Sequence, residues 1–226
     1  MAEQLSFDLP AKPVLGRDDF FVSPANALAV AMIDSPQTWP GGKLVLTGPG
    51  GAGKTHLTHV WAAQTGAQIL AAVDLSRQEI PLLAQGPVAV EDVPDIASDA
   101  PAQNALFHLH NLLMAQGQRL LMTGRLAPNL WNLSLPDLQS RVQGAAHITL
   151  DAPDDKLLAA VLAKLFADRQ ITPKPDVIPY LLHRMDRSFL DATRIVERLD
   201  RAALAQGRTL SRRLASESLE ADDTND

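Results

Sequence analysis

The chain has 226 residues, 46% of them hydrophobic, 4% aromatic and 20% charged, with no cysteine and a formal net charge of −6. That length holds one ordinary domain, or one domain with a small appendage, and the apolar share is enough for a sizeable core. Lack of cysteine excludes a disulfide framework and thiolate chemistry. No apolar run approaches a membrane span. The acidic balance argues against nucleic acid as the main partner, since phosphate contacts carry most of that affinity.

Met1 to Asp8 is acidic and polar, unlike the basic start of a signal peptide, so the expected location is cytoplasmic. Residues 1–13 read as an extended tail, because Pro10 and Pro13 forbid a regular helix. Helix is expected from Pro24 to Ala31. Lys43 to Thr47 is a short apolar run ended by glycines, read as a buried strand, and His56 to Gln64 follows as helix. Gln68 to Ala72 reads as strand, Leu75 to Leu83 as helix and Pro87 to Val90 as strand. Ala102 to Gln116 reads as helix, with Leu106, Leu109 and Leu113 on one face. Arg119 to Thr123 and Ala146 to Leu150 complete the strands. Strands that alternate with helices and are apolar on both faces imply a parallel sheet covered on both sides, an α/β domain over residues 14–152.

After Leu150 the strand signal stops. Asp154 to Asp168 is an amphipathic helix, and Ser188 to Asp191 has capping-box spacing at the start of another, with Gly207 as its stop. A small helical lid is therefore expected over 153–213. The acidic stretch 214–226 reads as a disordered tail.

The strongest motif is Gly48, Pro49, Gly50, Gly51, Ala52, Gly53, Lys54 and Thr55, a complete P-loop pattern between a strand and a helix. Glycines let successive backbone N–H groups point inward as an anion nest, and the following helix adds its positive end. Lys54 reaches toward β- and γ-phosphates, and the Thr55 hydroxyl suits Mg²⁺. The expected ligands are ADP or ATP with Mg²⁺. A second element, Val88 to Asp92, is an apolar run ending in two acids. Glu91 is expected at the Mg²⁺ water shell and Asp92 at the attacking water, against the plainer reading of a solvated acidic turn.

These motifs, followed by Leu120 to Pro128, resemble the AAA+ core of the DnaA branch. The resemblance implies that Thr123, ending a strand, is a first sensor near the γ-phosphate. Leu135 to Val142 resembles the segment that supplies an arginine finger, which makes Arg141 a contact to a nucleotide bound by a neighbouring protein. Met185 to Ser188 resembles the second-sensor segment, assigning Arg187, with Arg184 and Arg194 as rivals. Phe21 to Leu28 resembles the segment around adenine, bringing in Val22 and Asn26. In the tail, Gln4, Leu5, Phe7 and Leu9 resemble the short peptide that docks on the bacterial replicative sliding clamp (the β subunit), and an extended segment with apolar anchors suits a preformed groove.

Beyond Arg213 the sequence turns acidic, so the basic DNA-reading domain of DnaA is not expected here. An AAA+ core with a clamp peptide is similar to the regulatory relatives of DnaA. That resemblance implies an ADP-bound negative regulator of replication initiation, which docks on the DNA-loaded clamp and stimulates ATP hydrolysis by DnaA. Glu91 stands where that branch usually has Asp, so intrinsic hydrolysis is expected to be weak. An AAA+ helicase loader is the first alternative and a small P-loop kinase the second. Monomer or homodimer stays open. Arg208, Arg212 and Arg213 offer a weak DNA contact or a solvated helix end. The six histidines lack the companions of a metal site.

Overall fold

The computed structural model describes residues 21–223 of the chain. The clamp-like residues Gln4, Leu5, Phe7 and Leu9 lie outside them. Among the described residues the sheet has five strands: β1 (Lys43–Thr47), β2 (Gln68–Ala71), β3 (Val88–Glu91), β4 (Leu120–Gly124) and β5 (Ala146–Thr149). All pair in parallel, in the order β2-β3-β4-β1-β5.

Alternation along each strand explains the two covered faces. Val45, Val88, Val90, Leu120 and Met122 share one buried cluster with Leu106, Leu109 and Leu113 of α4 (Ala100–Ala115). Leu44, Leu46, Ala89 and Leu121 point the other way, onto Ile33 of α1 (Ala27–Asp34) and Leu57 and Trp61 of α2 (Lys54–Thr65). Hydrophobic residues at successive positions in the middle of β1, β3 and β4 thus need helices on both sides. Two further helices complete this layer, α3 (Ile80–Leu83) and α5 (Pro136–Gln143). One expectation fails here. The single helix over 75–83 is instead a 3₁₀ segment, Ala72–Arg77, and then α3. Pro81 lacks an N–H, and its ring would collide with the carbonyl four residues back, so one helix cannot run through.

The lid is helical as expected: α6 (Asp155–Asp168), α7 (Val177–Leu182), α8 (Phe189–Gln206) and α9 (Arg212–Asp223). The Asp154 carboxylate accepts from Leu157 N–H at 2.8 Å, and Ser188 Oγ accepts from Asp191 N–H at 3.0 Å, capping α6 and α8. Gly207, at φ 57°, ends α8 in the left-handed conformation. The expected disordered tail at 214–226 is a second correction, since α9 continues to Asp223. Leu214 and Ala215, with Leu210 before them, are buried against Phe166, Leu181 and Leu199. This apolar stripe seats the helix, while Glu217 and Glu220 stay exposed on its outward face.

Phe166 is fully buried at the centre of the lid. Phe166→Ala is expected to destabilise this core by about 3–5 kcal/mol. Urea unfolding checks the prediction, and limited proteolysis should cut the lid first, leaving the sheet domain intact.

Candidate nucleotide site

The C-terminal ends of β1, β3 and β4 lie side by side, as the pairing of Thr47 with Gly124 and of Val90 with Met122 requires. The loops that leave these ends meet outside the sheet edge, the usual place for a ligand in an open α/β fold. Gly48 starts the phosphate loop at φ 148°, and a Cβ there would stand 2.5 Å from the Leu150 carbonyl oxygen, so only glycine fits. The loop runs into the N-terminus of α2 at Lys54.

Lys54 is 9% exposed, and its ammonium donates to the carbonyls of Gly48 at 2.8 Å and Pro49 at 2.9 Å. Those bonds hold the amine across the loop and leave one N–H for an anion. Burial pushes its pKa below the usual lysine range; Asp92 and Glu91 oppose this and Arg125 adds to it. Thr55 is exposed at the helix start. Glu91 Oε1 is buried with no hydrogen-bond partner among the described residues. A buried carboxylate oxygen without a partner, with a hydroxyl and an ammonium nearby, fits an oxygen-ligated Mg²⁺ and its waters.

Asp92 turns out of β3 in a left-handed conformation at φ 52°. Its N–H donates to Thr123 Oγ1 at 3.0 Å, and Thr123 is 1% exposed. The strand-end threonine thus fixes the acidic turn and still has its own O–H to donate. Arg125, absent from the expected site residues, follows Gly124 at the same edge and is exposed there. The signal for it was its place directly after the polar strand end. Asp92, Arg125 and Trp131 also line a small hollow of about 180 Å³ beside the site.

The lid meets the loop directly. Phe189 N–H donates to the Gly51 carbonyl at 2.8 Å, and a Cβ on Gly51 would lie 2.5 Å from Ser188 Cβ. Arg187, one residue before, is brought beside the loop, but its guanidinium pairs with Asp155 at 3.0 Å. Of its rivals, Arg184 stacks over Tyr180 with 5.6 Å to the ring centre, and Arg194 is exposed on α8. Val22 is exposed. Asn26 is buried and spends its amide on the turn, accepting from Ser23 N–H and donating to the Phe21 carbonyl, both at 2.9 Å. It therefore shapes that segment.

Arg141 lies elsewhere. It is exposed on α5, and Lys43, the first residue of β1, donates to its carbonyl at 3.1 Å. That is the N-terminal end of the strand whose other end opens into the phosphate loop. Five residues of strand, about 16 Å, separate the two ends. Among the described residues no group of three or more His, Cys, Asp or Glu side chains is placed to hold a metal, and no helix is long and apolar enough to cross a membrane.

No family model matches the sequence. Among solved structures, domain III of the Thermotoga maritima replication initiation protein DnaA is similar, with a TM-score of 0.80 and 18% identity over 94% of this chain and 98% of that one. The replication initiator DnaA bound to AMPPCP and single-stranded DNA superposes at TM-score 0.69, with 19% identity over 94% of this chain and 69% of that one. A Thermotoga maritima RuvB variant also reaches 0.69, with 16% identity over 90% of this chain and 70% of that one. The five-stranded parallel sheet, the phosphate loop and the helical lid give this chain the AAA+ α/β fold of DnaA domain III.

Proposed function

We propose that this chain is a DnaA-like regulator of the Hda type, which holds ADP or ATP with Mg²⁺ at its own loop and accelerates ATP hydrolysis by DnaA. The observation that carries the reading is the position of Arg141. An exposed arginine at the opposite end of the sheet from its own phosphate loop cannot serve its own nucleotide, yet suits one presented by a neighbour. A guanidinium supplied in this way neutralises charge that develops on the transferred phosphoryl group, an effect worth roughly 10³–10⁵ in rate. Adenine-nucleotide binding at the loop is supported by the bonded, anion-ready Lys54 and by the AMPPCP-bound DnaA among the similar structures.

In this reading the loop N–H groups and Lys54 hold the phosphates, while Thr55 and Glu91 hold Mg²⁺, which when bound neutralises charge on the phosphate oxygens. Thr123 keeps Asp92 in place. The chain is an activator of another ATPase first and an ATPase second. Docking on the sliding clamp through Gln4, Leu5, Phe7 and Leu9 belongs to the same proposal.

The test is ATP hydrolysis by DnaA with this protein, ADP and DNA-loaded clamp. Arg141→Ala is expected to return DnaA to its unstimulated rate while ADP affinity stays unchanged. A Leu5→Ala/Phe7→Ala double variant should abolish stimulation only when the clamp is required. Stimulation that survives Arg141→Ala removes the trans-acting reading, and no stimulation by intact protein directs attention to the helicase-loader alternative.

A further inference from the structure

Lys43, Arg119 and Arg141 converge at the N-terminal edge of β4, β1 and β5, around an open cleft of about 470 Å³. Their convergence follows from strand register. Lys43 pairs with Leu120, the residue after Arg119, and β5 begins beside Leu44 just after the helix that carries Arg141. Among the described residues no carboxylate lines the cleft, and none of the three cations has an ion-pair partner. Two of them are held in place by neutral groups. Arg119 donates to the carbonyls of Pro36 and Gly117, each at 3.1 Å, and Lys43 to that of Arg141. Both keep further N–H groups over for an anion.

His110, also in the wall, is 4% exposed, and its Nε2 is buried without a hydrogen-bond partner among the described residues. Its Nδ1 lies 3.1 Å from Asn111 Oδ1. Burial lowers the pKa of His110; the Asn111 bond opposes this, and Lys43 and Arg141 lower it further. The site is therefore a concave cluster of uncompensated positive charge with a polar buried wall, an arrangement that costs stability unless an anion fills it.

We infer that this cleft binds the terminal phosphates of a nucleotide held by a neighbouring protein, with Lys43 and Arg119 as phosphate contacts beside Arg141. The inference rests on the trans-acting reading of Arg141 and extends it from one arginine to a three-cation pocket. Two features favour a nucleotide over a nucleic acid backbone. The cations form one concave cluster, where backbone binding calls for an extended stripe, and the chain as a whole carries net charge −6.

The experiment uses the full chain saturated with ADP, so that its own loop is filled, and titrates inorganic tripolyphosphate against the His110 imidazole resonance, assigned with His110→Gln. A saturable shift and a rise in the His110 pKa are expected, because an anion in the cleft favours the imidazolium. Lys43→Gln and Arg119→Gln should each weaken tripolyphosphate at least about tenfold, the loss of one charge-assisted contact. Both should also lower stimulated hydrolysis by DnaA, and Lys43→Arg should restore it. Thermal melts of each variant confirm folding.

Absence of a saturable shift overturns the pocket while leaving the Arg141 result to stand on its own. Tight tripolyphosphate binding with stimulation untouched by both glutamine variants overturns the assignment to a partner's nucleotide. Displacement of tripolyphosphate by a short DNA duplex at lower concentration overturns it too, and gives the cleft to nucleic acid.

Discussion

Lys54→Ala is expected to weaken ADP binding roughly 10- to 150-fold, the equivalent of losing one charged hydrogen bond worth about 1.5–3 kcal/mol. The expectation rests on geometry. The ammonium is nearly buried, spans the loop through the carbonyls of Gly48 and Pro49, and has one N–H left over. Its removal therefore costs a phosphate contact and the brace that holds the loop open. Lys54→Arg should not rescue, since a planar guanidinium cannot place three tetrahedral donors across two carbonyls and a phosphate. Isothermal titration with ADP measures the loss directly. The ADP-induced rise in melting temperature should vanish alongside it, because that rise is the linkage of binding to folding. Unchanged affinity in the alanine variant would mean that the loop amides alone hold the nucleotide.

Gly51→Ala should open the lid. The backbone there has φ +72°, which costs a non-glycine residue about 1–2 kcal/mol. The added Cβ would also lie 2.5 Å from Ser188 Cβ and 2.8 Å from Ser188 Oγ. Ser188 caps α8, and the next residue's N–H is bonded to the Gly51 carbonyl, so the strain falls on this junction between loop and lid. ADP affinity is expected to fall, and protease cleavage between the sheet domain and the lid to rise. Ser188→Gly should recover part of this in the double variant, because it removes the colliding atoms at a cost of only a few tenths of a kcal/mol in capping. A double-mutant cycle should therefore give a coupling of about 0.5–3 kcal/mol. Strict additivity would show that Gly51 is needed for its φ alone and that the lid is not seated through it.

The local grammar of the chain was legible before any coordinates. Strand positions came from short apolar runs with glycine or acid at their ends, and the structure reproduces them within a residue or two. Ser188 was recognisable as a cap and Gly207 as a stop. The two departures have local causes. Pro81 breaks the helix expected over 75–83, and Leu214 with Ala215 forms an apolar stripe hidden among acids. Arg187 shows the limit of motif transfer. Its place beside the loop follows from Ser188, but its partner in the structure is Asp155, a contact across elements that no spacing rule contains.

What the sequence by itself determined was carried by neighbours along the chain. It specified the alternation that makes a two-sided parallel sheet, the glycine loop with Lys54 and Thr55, the acids that end β3, and the helical lid. These depend on backbone conformation, side-chain period and capping, all short-range in the chain. Tertiary structure alone decided the rest. It brought Thr123 to the Asp92 N–H, seated Ser188 on Gly51, and gathered Lys43, Arg119 and Arg141 around one cleft from positions up to 98 residues apart. The physical reason is strand order. Because β1 lies between β4 and β5, distant residues share an edge, and the two neighbouring strands β1 and β4 each send one end toward the chain's own phosphate loop and the other toward the cationic cleft.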